Sequence, residues 1–195
     1  MLIDCDQVIA GFAGPQLGPV SLRLSPGERR LVTGPNGSGK SLLLKAILGR
    51  ARVFSGRIDR AADLAIGHLA QEHGRPAVWP LSGRDWFTAM GIRPPDEPWI
   101  SGLLEKRLDR LSGGQWQLLR LAAVVRSVAE GGQPRLLLLD EPSNHLDRQV
   151  RAQALALLKQ VPSDVGVLIT SHDHALIEAL ELSVIALGET GGVES

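Results

Sequence analysis

Gly34-Pro35-Asn36-Gly37-Ser38-Gly39-Lys40-Ser41 carries the clearest chemistry in this 195-residue chain. Its glycines permit a tight turn in which successive backbone N–H groups converge on one anion. A helix starting beside them adds the partial positive charge of its N-terminus. Lys40 is then placed to reach the β- and γ-phosphates of a nucleotide, and Ser41 to offer a hydroxyl to magnesium. A second chemical end is Asp140-Glu141, directly after Arg135-Leu136-Leu137-Leu138-Leu139. The first acid can hold that magnesium, and the second can orient and deprotonate an attacking water. Alone, an acidic pair after an apolar run reads equally well as a solvated turn. Behind a phosphate-binding loop it reads as its catalytic complement.

Such residues need a strand before the loop, a helix after it and further parallel strands alongside. Arg30-Leu31-Val32-Thr33 supplies the strand, and Leu42 to Gly49 continues as a helix. Upstream, Leu2–Ala10 and Val20–Leu24 alternate apolar and polar residues, predicting two strands of an antiparallel layer joined by a turn at Gly11–Pro15. Ser55–Ile58 and Leu64–Gln71 follow as strand-like runs. From Glu72 to Arg110 the texture changes to proline, tryptophan and charge, with helical patches at Asp85–Met90 and Ile100–Leu108. A small inserted helical subdomain is expected there. Leu111-Ser112-Gly113-Gly114-Gln115 opens a long helix with apolar residues at Leu118, Leu121, Ala122, Val125 and Val128, ended by Gly131-Gly132. A helix over Arg148–Val161, a strand over Val165–His172, a short helix and a strand at Ser183–Leu187 complete the pattern, and 189–195 is expected as a loose tail. The predicted class is α/β: a P-loop NTPase core of mainly parallel sheet flanked by helices, comprising 1–71 and 111–188, with an N-terminal antiparallel layer and the subdomain at 72–110. Gly34, Gln71, Asp140 and His172 all fall at the carboxyl ends of apolar strands, where open α/β sheets bind their ligands.

Composition narrows the setting. The formal net charge is +0, which argues against a polyanion partner such as nucleic acid. The single cysteine, Cys5, excludes an intrachain disulfide and reads as a small core residue in a reducing compartment. The N-terminus has acids where a signal peptide has a basic region, and no apolar run approaches the about 20 residues that span a bilayer. A chain with these properties reaches a membrane only through a partner.

Leu111-Ser112-Gly113-Gly114-Gln115, added to the two motifs above, decides among nucleotide-binding families. The chain resembles the nucleotide-binding domains of ATP-binding-cassette (ABC) proteins over nearly its whole length. The resemblance implies ATP and Mg2+ as ligands and a head-to-tail pair of such domains. In that pair Ser112, Gly113, Gly114 and Gln115 of one copy face the γ-phosphate held by Gly34–Ser41 and residue 42 of the other. It also implies that Gln71 contacts the magnesium and the water, that Asn144 and Asp147 belong to a loop crossing the dimer interface, and that His172 hydrogen-bonds the γ-phosphate. Magnesium would be held by Ser41, Gln71 and Asp140, and the catalytic group would be Glu141, His172, Gln71 and Lys40. Phe12 stands where the family stacks an aromatic on adenine, usually tyrosine; simple packing in a turn is the alternative. His68, His73, His145 and His174 are expected as surface or structural residues. Leu42 departs from the family's threonine, and Trp116 and Leu118 depart from its basic residues.

The runs Ser55–Ile58, Ile66–Gln71 and Trp79-Pro80-Leu81-Ser82-Gly83-Arg84-Asp85 resemble the zinc- and manganese-type importer ATPases. That points to a transporter's ATPase, cytoplasmic and peripheral on the inner face of the membrane, with a transmembrane permease as partner and no appended regulatory domain. Trp79, Trp86, Trp99 and Trp116, with Phe87, either anchor that permease or fill the subdomain's own core. The alternative is a soluble ribosome-associated factor of the ABC-F branch, suggested by Ser143–Asp147. Such factors usually join two cassettes by a charged linker, and this chain carries one cassette, no such linker and no basic excess. A chromosome-structure ATPase would need coiled-coil arms, and no heptad run lies between Ser41 and Leu111.

Overall fold

In the computed structural model residues 1–71, 80–144, 146–188 and 193–194 are described. In chain order these form strands β1 (Ile3–Gly11), β2 (Pro15–Leu24) and β3 (Arg29–Thr33), helix α1 (Lys40–Ile47), and strands β4 (Arg52–Arg60) and β5 (Ala65–Leu69). There follow α2 (Gly83–Ala89), α3 (Pro98–Leu104), a 3-10 turn at Leu108–Arg110, α4 (Gly113–Ser127), β6 (Arg135–Asp140), α5 (Arg148–Lys159), β7 (Gly166–Thr170), α6 (His174–Ala179), β8 (Ser183–Leu187) and β9 (Val193–Glu194).

The strands build two sheets. The larger has the order β5-β6-β7-β3-β8-β9, parallel except for β9; the smaller is antiparallel, in the order β2-β1-β4. Successive residues of a strand point to opposite faces, and β6 uses both. Leu136 and Leu138 join the apolar layer that also holds Val32, Leu43, Leu44, Ile47 and the buried side of the antiparallel sheet. Leu137 and Leu139 join the opposite layer, shared with α4 and α5. A strand buried on both faces reads as an unbroken leucine run, which is what a parallel sheet covered on both sides requires. Cys5 lies in the first layer, and burial pushes its thiol up to about 12.

Four sequence expectations change. β2 begins at Pro15 rather than Val20. Its prolines read as loop, but β2 is a sheet edge, where a missing N–H costs no ladder bond on the open side. β4 runs over nine residues, well beyond Ser55–Ile58. Most of its side chains are exposed, so no apolar alternation marks it, and its pairing with β1 holds it in place. The helical patch at Ile100–Leu108 is broken after Leu104. There the chain turns extended so that Gly83 donates to the Lys106 carbonyl and Leu108 to that of Leu81. Finally, Val193–Glu194 pairs with Ala186–Leu187 as an added edge strand, where a loose tail was expected.

The aromatic residues of α2 and α4 do not form a core of their own. Phe87, Ile100, Leu103, Leu104 and Trp116 are continuous with the layer beneath Leu137 and Leu139. Phe87 is fully buried. Phe87→Ala is expected to cost about 3–5 kcal/mol and to lower a single cooperative urea transition. Two separate transitions would contradict the shared core.

Candidate functional site

β3 runs straight into the loop 34–39, and α1 begins at Lys40. Gly34, Gly37 and Gly39 have φ of 151°, 84° and 94°, conformations that cost an L side chain about 1–2 kcal/mol each. At Gly34 space is closed as well: a Cβ there would stand 2.6 Å from the Leu187 carbonyl oxygen and 2.8 Å from Ser38 Oγ. The loop is therefore pressed on β8 from below while its backbone faces the cleft. Lys40 Nζ folds over it, donating to the carbonyls of Gly34 (2.8 Å) and Pro35 (2.9 Å). The ammonium is thus centred over the cradle.

Across the strand edges, Ser41 Oγ donates to Asp140 Oδ1 at 3.0 Å. A hydroxyl from the first turn of α1 and a carboxylate from the end of β6 thereby present hard oxygen donors side by side. Among the described residues no group of three or more His, Cys, Asp or Glu is gathered as a metal cage. A pair of protein oxygens beside an anion cradle suits magnesium, which is commonly held by one or two protein groups together with substrate phosphates.

Glu141 follows with φ of 49°, a left-handed turn that swings its carboxylate back toward the cleft. Its N–H donates to the Thr170 carbonyl at 3.0 Å and to Thr170 Oγ1 at 3.1 Å. His172 Nε2 lies 3.6 Å from Glu141 Oε1. Burial holds the Glu141 carboxyl above the usual carboxylate range, while His172 and Lys40 pull against that shift. The His172 loop is tied down through its neighbour: Asp173 receives Arg151 of α5 at 3.3 Å, and its N–H donates to Ser171 Oγ.

A cleft of about 360 Å3 joins these groups. Its walls include Phe12, Asn36, Lys40, Ser41, Gln71 and Glu141. Phe12 is 56% exposed at its rim, so it is no packing residue of the turn. Lys45 Nζ stands 5.6 Å from its ring centroid, and Gln16 Oε1 accepts from its N–H. Leu42 lines the same cleft, leaning on the apolar layer behind α1, so its departure puts a methyl-lined wall where a hydroxyl would be.

A second cleft, about 380 Å3, adjoins the first through Gln71 and Glu141. It is otherwise lined by Gly113, Gly114, Gln117, Asn144 and Leu146. Ser112 caps α4 reciprocally with Gln115: Ser112 Oγ accepts from the Gln115 N–H, and Gln115 Oε1 from that of Ser112. The cap leaves the glycine N–H groups at the start of α4 as the donors of this cleft. Asp147 caps α5 through the Val150 N–H and walls neither cleft. Apart from Asp147 and His172, which line neither cleft, the sequence-predicted residues gather around two neighbouring groups on one chain, the phosphate loop and the α4 glycines, bridged by Gln71 and Glu141.

Several residues were not singled out from the sequence. Gln16 and Lys45 flank Phe12. Arg120 donates to the Ala70 carbonyl at 3.0 Å and so fixes the backbone just before Gln71. Thr170 Oγ1 donates to Asp140 Oδ1 at 2.7 Å. The polar Thr170-Ser171-His172 ending on an apolar strand was the available signal for Thr170; nothing in the sequence pairs Arg120 with Ala70. The departures at 116 and 118 are core packing: Trp116 and Leu118 are buried, and Trp116 packs on Trp86 at 5.1 Å. His73, Trp79 and His145 lie outside the described residues.

Residues 17–81 match the family described as ABC transporter. A zinc import ATP-binding protein ZnuC of Cereibacter sphaeroides is 35% identical over 182 residues, covering 88% of this chain and 72% of the relative. One from Yersinia pestis is 32% identical, covering 97% and 77%. Among solved structures, an ATP-binding subunit of an ABC transporter aligns with TM-score 0.77 at 22% identity, covering 100% of this chain and 89% of that one. A dimeric post-hydrolysis state of an ATP-binding cassette bound to ADP and Pi aligns with TM-score 0.75 at 20% identity, covering 100% and 97%. The chain belongs to the ATP-binding ATPase subunits of ABC transporters. The ribosome-associated alternative draws no support from these likenesses.

The geometry at Gly34 makes a direct demand. Gly34→Ala is expected to weaken nucleotide binding about tenfold or more, since about 1.4 kcal/mol of strain already equals a factor of ten. Titration with a fluorescent ATP analogue measures this, and an unchanged affinity would mean the cradle tolerates a Cβ.

Proposed function

We propose that this chain powers import of a divalent metal ion, zinc by analogy with its relatives, by hydrolysing ATP as one of a head-to-tail pair bound to a membrane permease. The observation that carries the pairing is the bridging of two clefts by Gln71 and Glu141. The phosphate loop opens on one cleft and the α4 glycines on the other. A second copy turned end for end would bring its glycine N–H groups to the γ-phosphate held by this copy's loop.

In the proposed reaction the loop N–H groups and Lys40 hold the phosphates. Glu141 orients a water toward the γ-phosphorus and accepts its proton. The bond to the β–γ bridging oxygen breaks and ADP leaves with inorganic phosphate. Gln71 helps to place the water, and His172, close to Glu141, donates to a γ-phosphate oxygen. Asn144 and Asp147 would lie near the interface between copies. Ser41, Asp140 and Gln71 would hold magnesium, which would supply neutralisation of charge on the phosphate oxygens. Phe12 offers a ring face to the adenine at the rim.

The permease reading has its own support. A groove of about 240 Å3 is lined by His68, Leu69, Trp86, Met90, Ile92 and Val124, among others. Met90 is exposed, and Trp86 is half-buried against the shared core. An aromatic-walled groove of this kind suits an amphipathic partner helix. No helix among the described residues is long and apolar enough to cross a membrane, so the proposed place at the inner face of the membrane comes through that partner. Segment 72–110 would be the permease-facing subdomain.

Two experiments follow. Glu141→Gln is expected to keep ATP binding, lose turnover by about a thousandfold, and run as a dimer in size-exclusion chromatography with magnesium and ATP. Wild-type turnover by this variant would remove Glu141 from its role. Met90→Asp is expected to leave the ATPase rate of the isolated protein unchanged while abolishing its stimulation by a co-purified permease and zinc uptake into reconstituted vesicles. Full stimulation would place the permease elsewhere.

A further inference from the structure

Thr170 is the last residue of β7 and is fully buried. A buried hydroxyl must find partners, and this one finds both acids of the site. It donates to Asp140 Oδ1 at 2.7 Å and accepts from the Glu141 N–H at 3.1 Å. Asp140 Oδ1 also accepts from Ser41 Oγ at 3.0 Å. Both donors use the same oxygen, so the plane of the carboxylate is pinned and neither bond engages Oδ2. On the other side, the left-handed φ of Glu141 is held by its N–H reaching the carbonyl and the hydroxyl of Thr170 together.

We infer that Thr170 is a positioning residue for magnesium–ATP hydrolysis: one buried hydroxyl sets the orientation of the metal-holding Asp140 relative to the water-orienting Glu141. A valine has nearly the same shape and would fill the same space, so packing alone gives no reason for the oxygen. Removing it leaves Asp140 Oδ1 with Ser41 and the Glu141 N–H with the Thr170 carbonyl. Neither acid is stranded, but each gains freedom to rotate. This inference rests on the ATPase reading above.

The test compares Thr170→Val and Thr170→Ser with wild type, using a fluorescent ATP analogue titrated with and without magnesium, and steady-state ATPase. Removing a hydrogen bond behind a metal-holding side chain commonly weakens metal binding by about 10–100-fold. For Thr170→Val, nucleotide affinity without magnesium is expected within about twofold of wild type, because the phosphate loop is untouched. The magnesium concentration giving half-maximal tightening rises about tenfold, and kcat falls about tenfold while KM for ATP moves less than about threefold. Thr170→Ser keeps the oxygen and restores both. If valine leaves the magnesium dependence and kcat unchanged, or if serine behaves like valine, the hydroxyl has no positioning role and the inference is overturned. Should the valine chain fail to fold, Thr170→Ala removes the same hydroxyl without the apolar branch and is read in the same way. A wild-type protein that neither binds nor hydrolyses magnesium–ATP overturns the ATPase reading itself, a result separable from any difference among the variants.

Discussion

A carboxylate shut away from water at the end of a strand must be surrounded by donors, and the carboxyl edge of the parallel sheet is arranged to provide them. Asp140 is only 4% exposed. Its partners come from two different elements, Ser41 on α1 and Thr170 on β7. The burial that makes an unpaired charge costly thereby locks the phosphate-loop helix and two neighbouring parallel strands into one register at their carboxyl ends. The cradle, Ser41 and Glu141 hold their places relative to Asp140 because this one side chain could not be left alone.

What could be read from the chain was whatever is decided by near neighbours in sequence. Glycine spacing, Lys40 and Ser41 specify the loop because the turn and the helix start are local events. The leucine run before Asp140 announces a strand covered on both faces without needing to know its neighbours. The capping boxes at Ser82–Asp85 and Ser112–Gln115 are contacts of the same local kind, though only the structure brought them out. Pairing along sheet edges is different. β4 has no apolar alternation, and its length is set by β1, some forty residues upstream by the register Gly11↔Arg52. The partners of Asp140 and of the Ala70 carbonyl likewise come from 30 to 99 residues away. No local pattern encodes such contacts. The tryptophans posed the same difficulty, because composition shows that large aromatics are present but not which face of a helix meets the core.

Here the ring of Trp86 meets the core on one side and an open groove on the other. Trp86 makes an edge-on contact with Phe87, packs on Trp116 in the first turn of α4, and still walls the groove beside Met90. Arg120, one turn further along α4, lines the same groove and holds the backbone before Gln71. Groove and second cleft thus share α4, the cleft at its N-terminal glycines and the groove further along the helix. A segment pressing on Trp86 meets the helix whose N-terminal glycines would face a nucleotide, and one reaching Arg120 meets the anchor of Gln71. Core filler and groove wall are two sides of one ring here.

The distribution of chromophores has a practical outcome. The chain has no tyrosine, and its four tryptophans all fall between positions 79 and 116. Both sheets, the phosphate loop, Asp140 and Glu141 carry no indole and are dark to its near-ultraviolet excitation. Intrinsic emission thus reports on the segment from 79 to 116 alone, available without any label.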